Sequence, residues 1–393
     1  MRPGLVQPNR GPGGWHLGDY ASTIVFSLQA IARQAGYDID VDDLRAALGL
    51  SWMTTAAPFE KDLGRWPMYA RDAFLVEGAR LFGMTVRGVH PPEAARGLER
   101  LPEFRQHFDA SYRPLILNAL ANNQAVLAWR GWPGEYEPCW GLITQACEDG
   151  IGLAGTVRRW VNDPPYMPPR PTTNEPHQGG QSGAEGSVPR QSWSGPNLEG
   201  RHLVAHAPLV LESPPVQVYV IETISPTQPE PGEVLNVALT HARCVLNNEL
   251  HERFGVLTGP PAYDAWIERC HEAISGAGAP PVDLVRGHEP LAATVIASHR
   301  CAIRFLEHHK SRTTGEVRAL IEALGDACRT VVTSLESFCG GRFPPHVAGG
   351  GPSAPERTDH PTVQDMAGIT DAIARAREAT VQMRDALLVC HCF

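Results

Sequence analysis

The chain has 393 residues, of which 42% are hydrophobic and 20% are charged, and its formal net charge is −9 at pH 7. This length allows two domains that each bury a core of their own. The acidic balance argues against a nucleic-acid-binding protein, because such a protein needs a basic face to neutralise phosphates. No apolar run approaches the roughly 20 residues that span a bilayer, so we expect no membrane partner.

The cysteine pattern points to a reducing compartment. The nine cysteines are irregularly spaced, and most lie inside helical patterns, where cysteine behaves as a small buried hydrophobic residue. A disulfide framework is typical of short secreted chains instead. The stretch at residues 1–15 also lacks an apolar core of signal-peptide length. We therefore expect a cytoplasmic protein.

The first part of the chain, residues 1–225, predicts an α+β domain in which helices come first and antiparallel strands follow. Apolar residues at helical spacing predict a helix over residues 20–35 that Gly36 ends. The remaining patterns are listed in chain order: a short helix capped by Asp40 or Asp42, a helix over 68–82, a strand over 84–89, a helix over 111–122, and strands over 126–129, 140–144, 150–156, 202–212 and 215–224.

Two segments rich in Pro, Gly and Ser interrupt these patterns. Residues 164–200 are almost free of aliphatic side chains and cannot bury enough apolar surface to order themselves, so we expect a disordered insertion within the first domain. From residue 226 to 393 the apolar stripes predict an all-α antiparallel helical bundle of four or five helices. A second flexible connection is expected at about 340–358, inside this bundle.

The start of the first helix and the start of a later strand carry the chemistry of interest. The helix opens with Ser22-Thr23-Ile24, followed by Ser27-Leu28, and the strand reads Trp140-Gly141-Leu142-Ile143-Thr144 after Cys139. These pieces resemble the papain-like domains of bacterial double-glycine leader peptidases and the N-terminal domain of the butirosin-biosynthesis protein H. The resemblance covers 13–163 and is closest to a group of bacterial proteins with Ser-Thr at the helix start in place of Cys.

The resemblance implies a thiol enzyme whose thiol and histidine have been lost. Such an enzyme needs a thiolate at a helix N-terminus, a histidine base and a polar group that orients the histidine. Ser22 and Thr23 stand where the thiol is expected, and either serves equally well as a helix cap. Cys139 and Trp140 stand where the histidine is expected. Asp163 fits the third position, although Asn-Asp-Pro-Pro is also a turn that ends a strand.

A rebuilt site is the main catalytic alternative. His16 lies just before the first helix, and a Cys139–His16 pair oriented by Asp19 is chemically feasible. The aromatic residues Trp129, Trp132 and Trp140 surround the same place in the sequence. Aromatic side chains line small-molecule pockets, and they also fill ordinary sheet cores.

The sequence predicts no metal and no cofactor. The tail Cys390-His391-Cys392 offers three metal-ligand types in a row, but adjacent residues rarely satisfy tetrahedral geometry, so we interpret it as a helix end. His288, His299, His308 and His309 share one long helical pattern without the carboxylate–histidine spacing of a di-metal bundle, and we interpret them as solvated or core histidines. No dinucleotide, phosphate-loop or zinc-protease motif occurs.

Three functions remain open at the level of sequence. The leading hypothesis is a non-catalytic, degenerate cysteine-peptidase-like protein that binds a peptide or small molecule through Ser22, Thr23, Trp129, Trp132 and Trp140. The second is an active hydrolase or acyltransferase that uses Cys139 or Ser22. The third is a structural interaction module that docks through the helical bundle.

Overall fold

A computed structural model of the chain describes residues 22–56, 72–89, 102–133, 139–147, 152–162, 192–198, 201–249, 257–276, 281–339 and 363–390. These residues form a mixed α+β structure in which one large antiparallel sheet is accompanied by many helices. The predicted α+β class is therefore confirmed.

Five helices of the first part lie in the described residues. They are α1 Ser22–Gln34, α2 Val41–Ala47, α3 Asp72–Leu81, α4 Pro102–His107 and α5 Arg113–Ala121, with a 3₁₀ turn at Leu50–Trp52 and a π-helical turn at Phe108–Tyr112. The side chain of Asp40 caps α2 by accepting hydrogen bonds from the backbone N–H groups of Asp42 and Asp43, at 2.9 and 3.0 Å. The expected helix over residues 20–35 and the short capped helix are both confirmed.

The sheet is antiparallel throughout, and its strand order places the last strand second from one edge. The strands are β2 Met84–Gly88, β3 Ala125–Trp129, β4 Trp140–Ala146, β5 Leu153–Asn162, β6 Ser192–Leu198, β7 Arg201–Val210 and β8 Gln217–Ile224. Their order is β2-β8-β3-β4-β5-β7-β6, so β8 returns to pair with both β2 and β3. A separate two-stranded ladder joins β1 Thr55–Ala56 to β9 Leu257–Thr258.

Helix α1 is buried on all sides rather than on one face. Every residue from 23 to 32 is buried, because α1 packs against β3, β4 and β5 on one side and against α2 on the other. The two polar side chains in its middle are satisfied internally: Ser27 donates to the carbonyl of Thr23 at 2.8 Å, and Gln29 donates to the carbonyl of Ile39 at 2.9 Å. A helix without a solvent face is typical of the centre of a large core.

Five helices follow the sheet within the described residues, in the region where apolar stripes predicted four or five. They are α6 Pro231–Leu246, α7 Pro260–Ser275, α8 Pro281–Lys310, α9 Gly315–Cys339 and α10 Val363–Val389. Helix α9 packs against both α8 and α10, and α10 also packs against α7 and α6. Residues 340–358, for which a flexible connection was predicted, lie outside the described residues.

Contacts join the first part of the chain to the bundle. Helix α2 and the 3₁₀ turn both pack on α8, and the ring of Trp52 meets the ring of Phe305 edge-on at 6.5 Å between centroids. The buried apolar side chains of the sheet and of the bundle helices belong to one continuous cluster. The division into two domains at residue 225 stays a prediction.

The predicted insertion differs from the structure at its end. Residues 192–198 form β6, which pairs with β7 through Ser192 and Val204 and through Trp193 and Leu203. Residues 192–198 form a strand despite their polar composition because their backbone groups hydrogen-bond to β7. Pairing at the edge of a sheet depends on backbone N–H and C=O groups more than on apolar side chains. Residues 164–191 lie outside the described residues. Strands β5 and β7, on either side of the insertion, are neighbours in one sheet, as expected.

Candidate functional site

The start of α1 and the start of β4 meet in the protein interior, as the sequence predicted. The backbone N–H of Trp140 donates a hydrogen bond to the side-chain oxygen of Thr23 at 2.8 Å, and Thr23 is only 1% exposed. Trp140 is the first residue of β4 and faces Trp129, the last residue of β3. A strand's first N–H lies at the end of its ladder, so a side-chain oxygen from α1 completes the pairing there.

Aromatic side chains pack around this junction. The Trp129 and Trp140 rings are stacked at 6.3 Å between centroids, and Trp140 lies 5.9 Å from the ring of Tyr219 on β8. All three side chains are buried. Aromatic pairs at this separation add stability beyond the area they bury, so the rings hold three neighbouring strands together.

Trp132 packs in the same cluster because the residue of β4 beneath its ring, Gly141, has no side chain. Its Nε1–H donates to the carbonyl of Ala128 at 3.3 Å. A Cβ on Gly141 would lie 2.5 Å from Cζ2 of Trp132, closer than real Cβ contacts come. The ring therefore lies directly on the backbone of β4, and Gly141 is required for that approach.

The structure brings together four of the residues that the sequence singled out for binding: Thr23, Trp129, Trp132 and Trp140 each have 1% or less of their surface exposed. These side chains are buried by contacts with one another and with the neighbouring strands and helix. Ser22 is the first residue of α1. His16 and Asp163 lie outside the described residues.

Cys139 lies at the same junction and is fully buried. Its carbonyl accepts a hydrogen bond from the backbone N–H of Arg130 at 3.2 Å, which closes the β3–β4 connection. Reactive cysteines are partly exposed and lie in electropositive surroundings, and buried ones are inert as a rule. Two bundle thiols follow that rule, because burial raises the pKa of Cys270 to about 11 and that of Cys328 to about 12.

A second cluster, which the sequence analysis missed, lies between α2 and α8. Asp43 Oδ1 is 2.9 Å from Nε2 of His309, and His308 lies beside them. The possible ligand atoms of Asp43, His308 and His309 all lie within 4.8 Å of one another. The available sequence signals were a pair of adjacent histidines at a helix end and two aspartates at a helix start. Nothing in the sequence joins two motifs that are 266 positions apart.

Two other histidines have structural partners. His241 on α6 contacts the carbonyl of Ala47 at 2.6 Å and Glu77 Oε2 at 3.1 Å, so it ties α6 to α2 and α3. His299 on α8 donates from Nδ1 to the carbonyl of Val295 at 2.9 Å, and no partner reaches its Nε2 among the described residues. Burial lowers the pKa of His299 to about 4, so this imidazole is neutral at pH 7. The burial of His299 agrees with the interpretation of this residue as a core histidine.

Among the helices that the structure describes, none combines the length and the apolar character that crossing a bilayer demands. In comparisons with known proteins, no protein family matches the chain and no curated protein is similar enough to count as a match.

Proposed function

We propose that the chain is a non-catalytic, papain-like protein that binds a peptide or small molecule beside the junction of α1 and β4. The observation that supports the absence of catalysis is the hydrogen bond from the Trp140 N–H to the Thr23 hydroxyl in a buried setting. A hydroxyl nucleophile must be reached by substrate and deprotonated by a base. Here the oxygen already accepts a bond from the backbone, and a tryptophan starts the strand where the resemblance places the base.

The binding half of the proposal follows from the resemblance and from the chain segments next to the junction. Residues 134–138 connect directly to Cys139, and the segment before Ser22 leads into α1. By composition both segments contain polar and aromatic residues, and the tryptophans at the junction itself are buried. Aromatic residues combined with a few polar groups are typical of ligand sites, which supports a binding site next to this junction.

The absence of catalysis is tested by chemical labelling of the full-length chain. A fluorophosphonate probe, which marks activated hydroxyls, should leave Ser22 and Thr23 unmodified. Iodoacetamide should spare the buried Cys139 in the folded protein and modify it after unfolding in urea. Half-buried Cys147 is the internal control, because it should react in the folded protein. Rapid labelling of Cys139 that His16→Ala abolishes would instead establish the hydrolase or acyltransferase with a rebuilt site.

The binding half is tested by hydrogen exchange with and without a peptide that ends in Gly-Gly, chosen because the resembled peptidases act at that motif. Protection is expected at the first turn of α1 and at the beginning of β4. The matched peptide ending in Ala-Ala should protect less. Protection confined to α9 and α10 would contradict this site and support the interaction module that docks through the bundle.

A further inference from the structure

We propose that Asp43, His308 and His309 form a binding site for one divalent cation of the zinc type, which links α2 to α8. The site is separate from the junction of α1 and β4 and does not depend on the function proposed there. It uses the first turn of one helix and the last turn of another.

The geometry brings three ligand atoms of suitable chemistry to one place. His309 Nε2 and Asp43 Oδ1 are 2.9 Å apart, and His308 completes a group whose atoms lie within 4.8 Å of one another. In a tetrahedral zinc site the metal–nitrogen and metal–oxygen distances are about 2.0–2.2 Å, so neighbouring ligand atoms are separated by roughly 3.4 Å. The Asp43–His309 pair must open by only a few tenths of an ångström to admit the ion.

The third ligand can move into position easily. His308 is exposed, and its ring lies 5.3 Å from that of His309 at an interplanar angle of 78°. An exposed side chain changes rotamer at low energetic cost. Two imidazoles and one carboxylate are a ligand set that zinc accepts, with water in the fourth position.

The charges around the cluster favour a cation. Asp40, Asp42 and Asp43 all lie at the start of α2, whereas Arg304 supplies the nearby guanidinium. Arg304 is engaged by both carboxylate oxygens of Asp42, each at 2.8 Å, which leaves the carboxylate of Asp43 directed to His309. Lys310, the next residue along α8, is paired with Glu322 at 2.9 Å.

The buried members of the site are already held in place. The His309 ring is 1% exposed and lies 4.5 Å from the ring of Phe305, one helical turn earlier on α8. The backbone N–H of Asp43 is fixed by its hydrogen bond to Asp40. Ligands fixed by neighbouring groups lose little conformational freedom on binding, which raises metal affinity.

Metal binding at this place should stabilise the folded chain. The ligands come from positions 43 and 308–309, so the unfolded chain does not hold them together. An ion that binds only the folded state raises its stability by mass action.

The test uses the full-length chain, freed of metal by a chelator and then titrated with Co²⁺ and Zn²⁺. We expect one Co²⁺ per chain with visible d–d absorption but no thiolate-to-cobalt band in the near ultraviolet, because no sulfur belongs to the site. Zn²⁺ should displace Co²⁺ and raise the melting temperature. His308→Ala, at an exposed position, should weaken binding at least about tenfold without unfolding the chain.

Matched variants locate the ion. His271→Ala removes an exposed histidine from α7 and should leave binding unchanged. The double variant Cys390→Ser, Cys392→Ser removes the cysteines of the C-terminal tail and should also bind normally. Asp43→Asn keeps the shape of the side chain and should weaken binding as His308→Ala does. Binding that survives His308→Ala and Asp43→Asn, a thiolate band, or no binding above that of denatured protein would each overturn the proposal.

Discussion

At the scale of single residues, the hydroxyl of Thr23 has a structural task that decides how the junction is interpreted. It receives the N–H of Trp140 inside the core, where an unpaired N–H would be costly. The Thr23 oxygen is therefore already engaged by a backbone group of β4.

Thr23→Val tests this task, because valine keeps the shape of threonine and removes the oxygen. Leaving the Trp140 N–H unpaired should lower the free energy of unfolding by about 1–3 kcal/mol. Thr23→Ser keeps the acceptor and loses one methyl group, so it should cost about 1 kcal/mol. Urea unfolding of the three proteins provides the comparison. Equal losses for the two variants would mean that packing, not the hydrogen bond, gives Thr23 its role.

His299 makes stability depend on pH in a direction that can be worked out. Burial lowers its pKa in the folded chain from 6.5 to about 4. Between these values the unfolded chain binds a proton that the folded chain does not. Stability is therefore complete above pH 6.5 and falls as the pH drops towards 4, by about 3 kcal/mol for this group.

His299→Gln should remove that part of the pH dependence. We expect its free energy of unfolding, measured by urea titration between pH 7 and pH 4, to fall less steeply than that of the natural chain. Leu388→Ala, at an exposed position on α10, provides the control, because it changes no titrating group and should leave the slope unchanged. A slope for His299→Gln equal to that of the natural chain would show that His299 does not titrate in this range.

At the scale of elements, the backbones of β4 and β5 come so close at Gly155 that a Cβ on this residue has no room. A Cβ on Gly155 would lie 1.9 Å from the carbonyl oxygen of Leu142. The ladder shifts register after Ile143, which faces Gly155, and bulges of this kind bring backbones together at a glycine.

Gly155→Ala should therefore destabilise the sheet strongly. The clash is with backbone atoms that cannot move aside, so we expect a loss of more than about 3 kcal/mol or an insoluble protein. Gly368→Ala on α10 is the matched control, because nothing lies within 4 Å of its added Cβ. Alanine favours a helix over glycine, so that variant should gain about 0.5–1 kcal/mol. Thermal unfolding by circular dichroism distinguishes the two results.

At the scale of the whole molecule, α8 connects the two parts of the chain. Its residues pack on α2 and on the 3₁₀ turn, where Trp52 and Phe305 meet. It also packs on α9 within the bundle. A continuous core of this kind should unfold as a unit, because no layer of solvent separates its parts.

Trp52→Ala tests whether the first part of the chain and the bundle unfold together. Removing a buried tryptophan should cost about 3–5 kcal/mol. The loss should appear at the same urea concentration in far-ultraviolet circular dichroism, which reports mainly the helices, and in the fluorescence of the sheet tryptophans. Leu388→Ala, at an exposed position on α10, should leave both signals unchanged. A shift in fluorescence alone would support two domains that unfold independently.

The sequence by itself determined the elements whose causes are local. Apolar spacing, the Asp40 cap and the Gly36 stop placed α1 and α2 near their observed bounds, and apolar stripes indicated the helices after the sheet. Alternating apolar residues placed β3, β4 and β8. The order of helices and strands then indicated an α+β fold, because each of these signals acts over only a few residues.

Only the tertiary structure decided which distant residues meet. It showed that Thr23 bonds to Trp140 and that Trp132 lies on Gly141, and both contacts depend on how α1 and two strands cross. It showed that residues 192–198 form a strand, because their backbone pairs with that of β7. It also placed Asp43 beside His308 and His309. Local composition carries no information about such pairings, since a contact between residues far apart in the chain is fixed by packing.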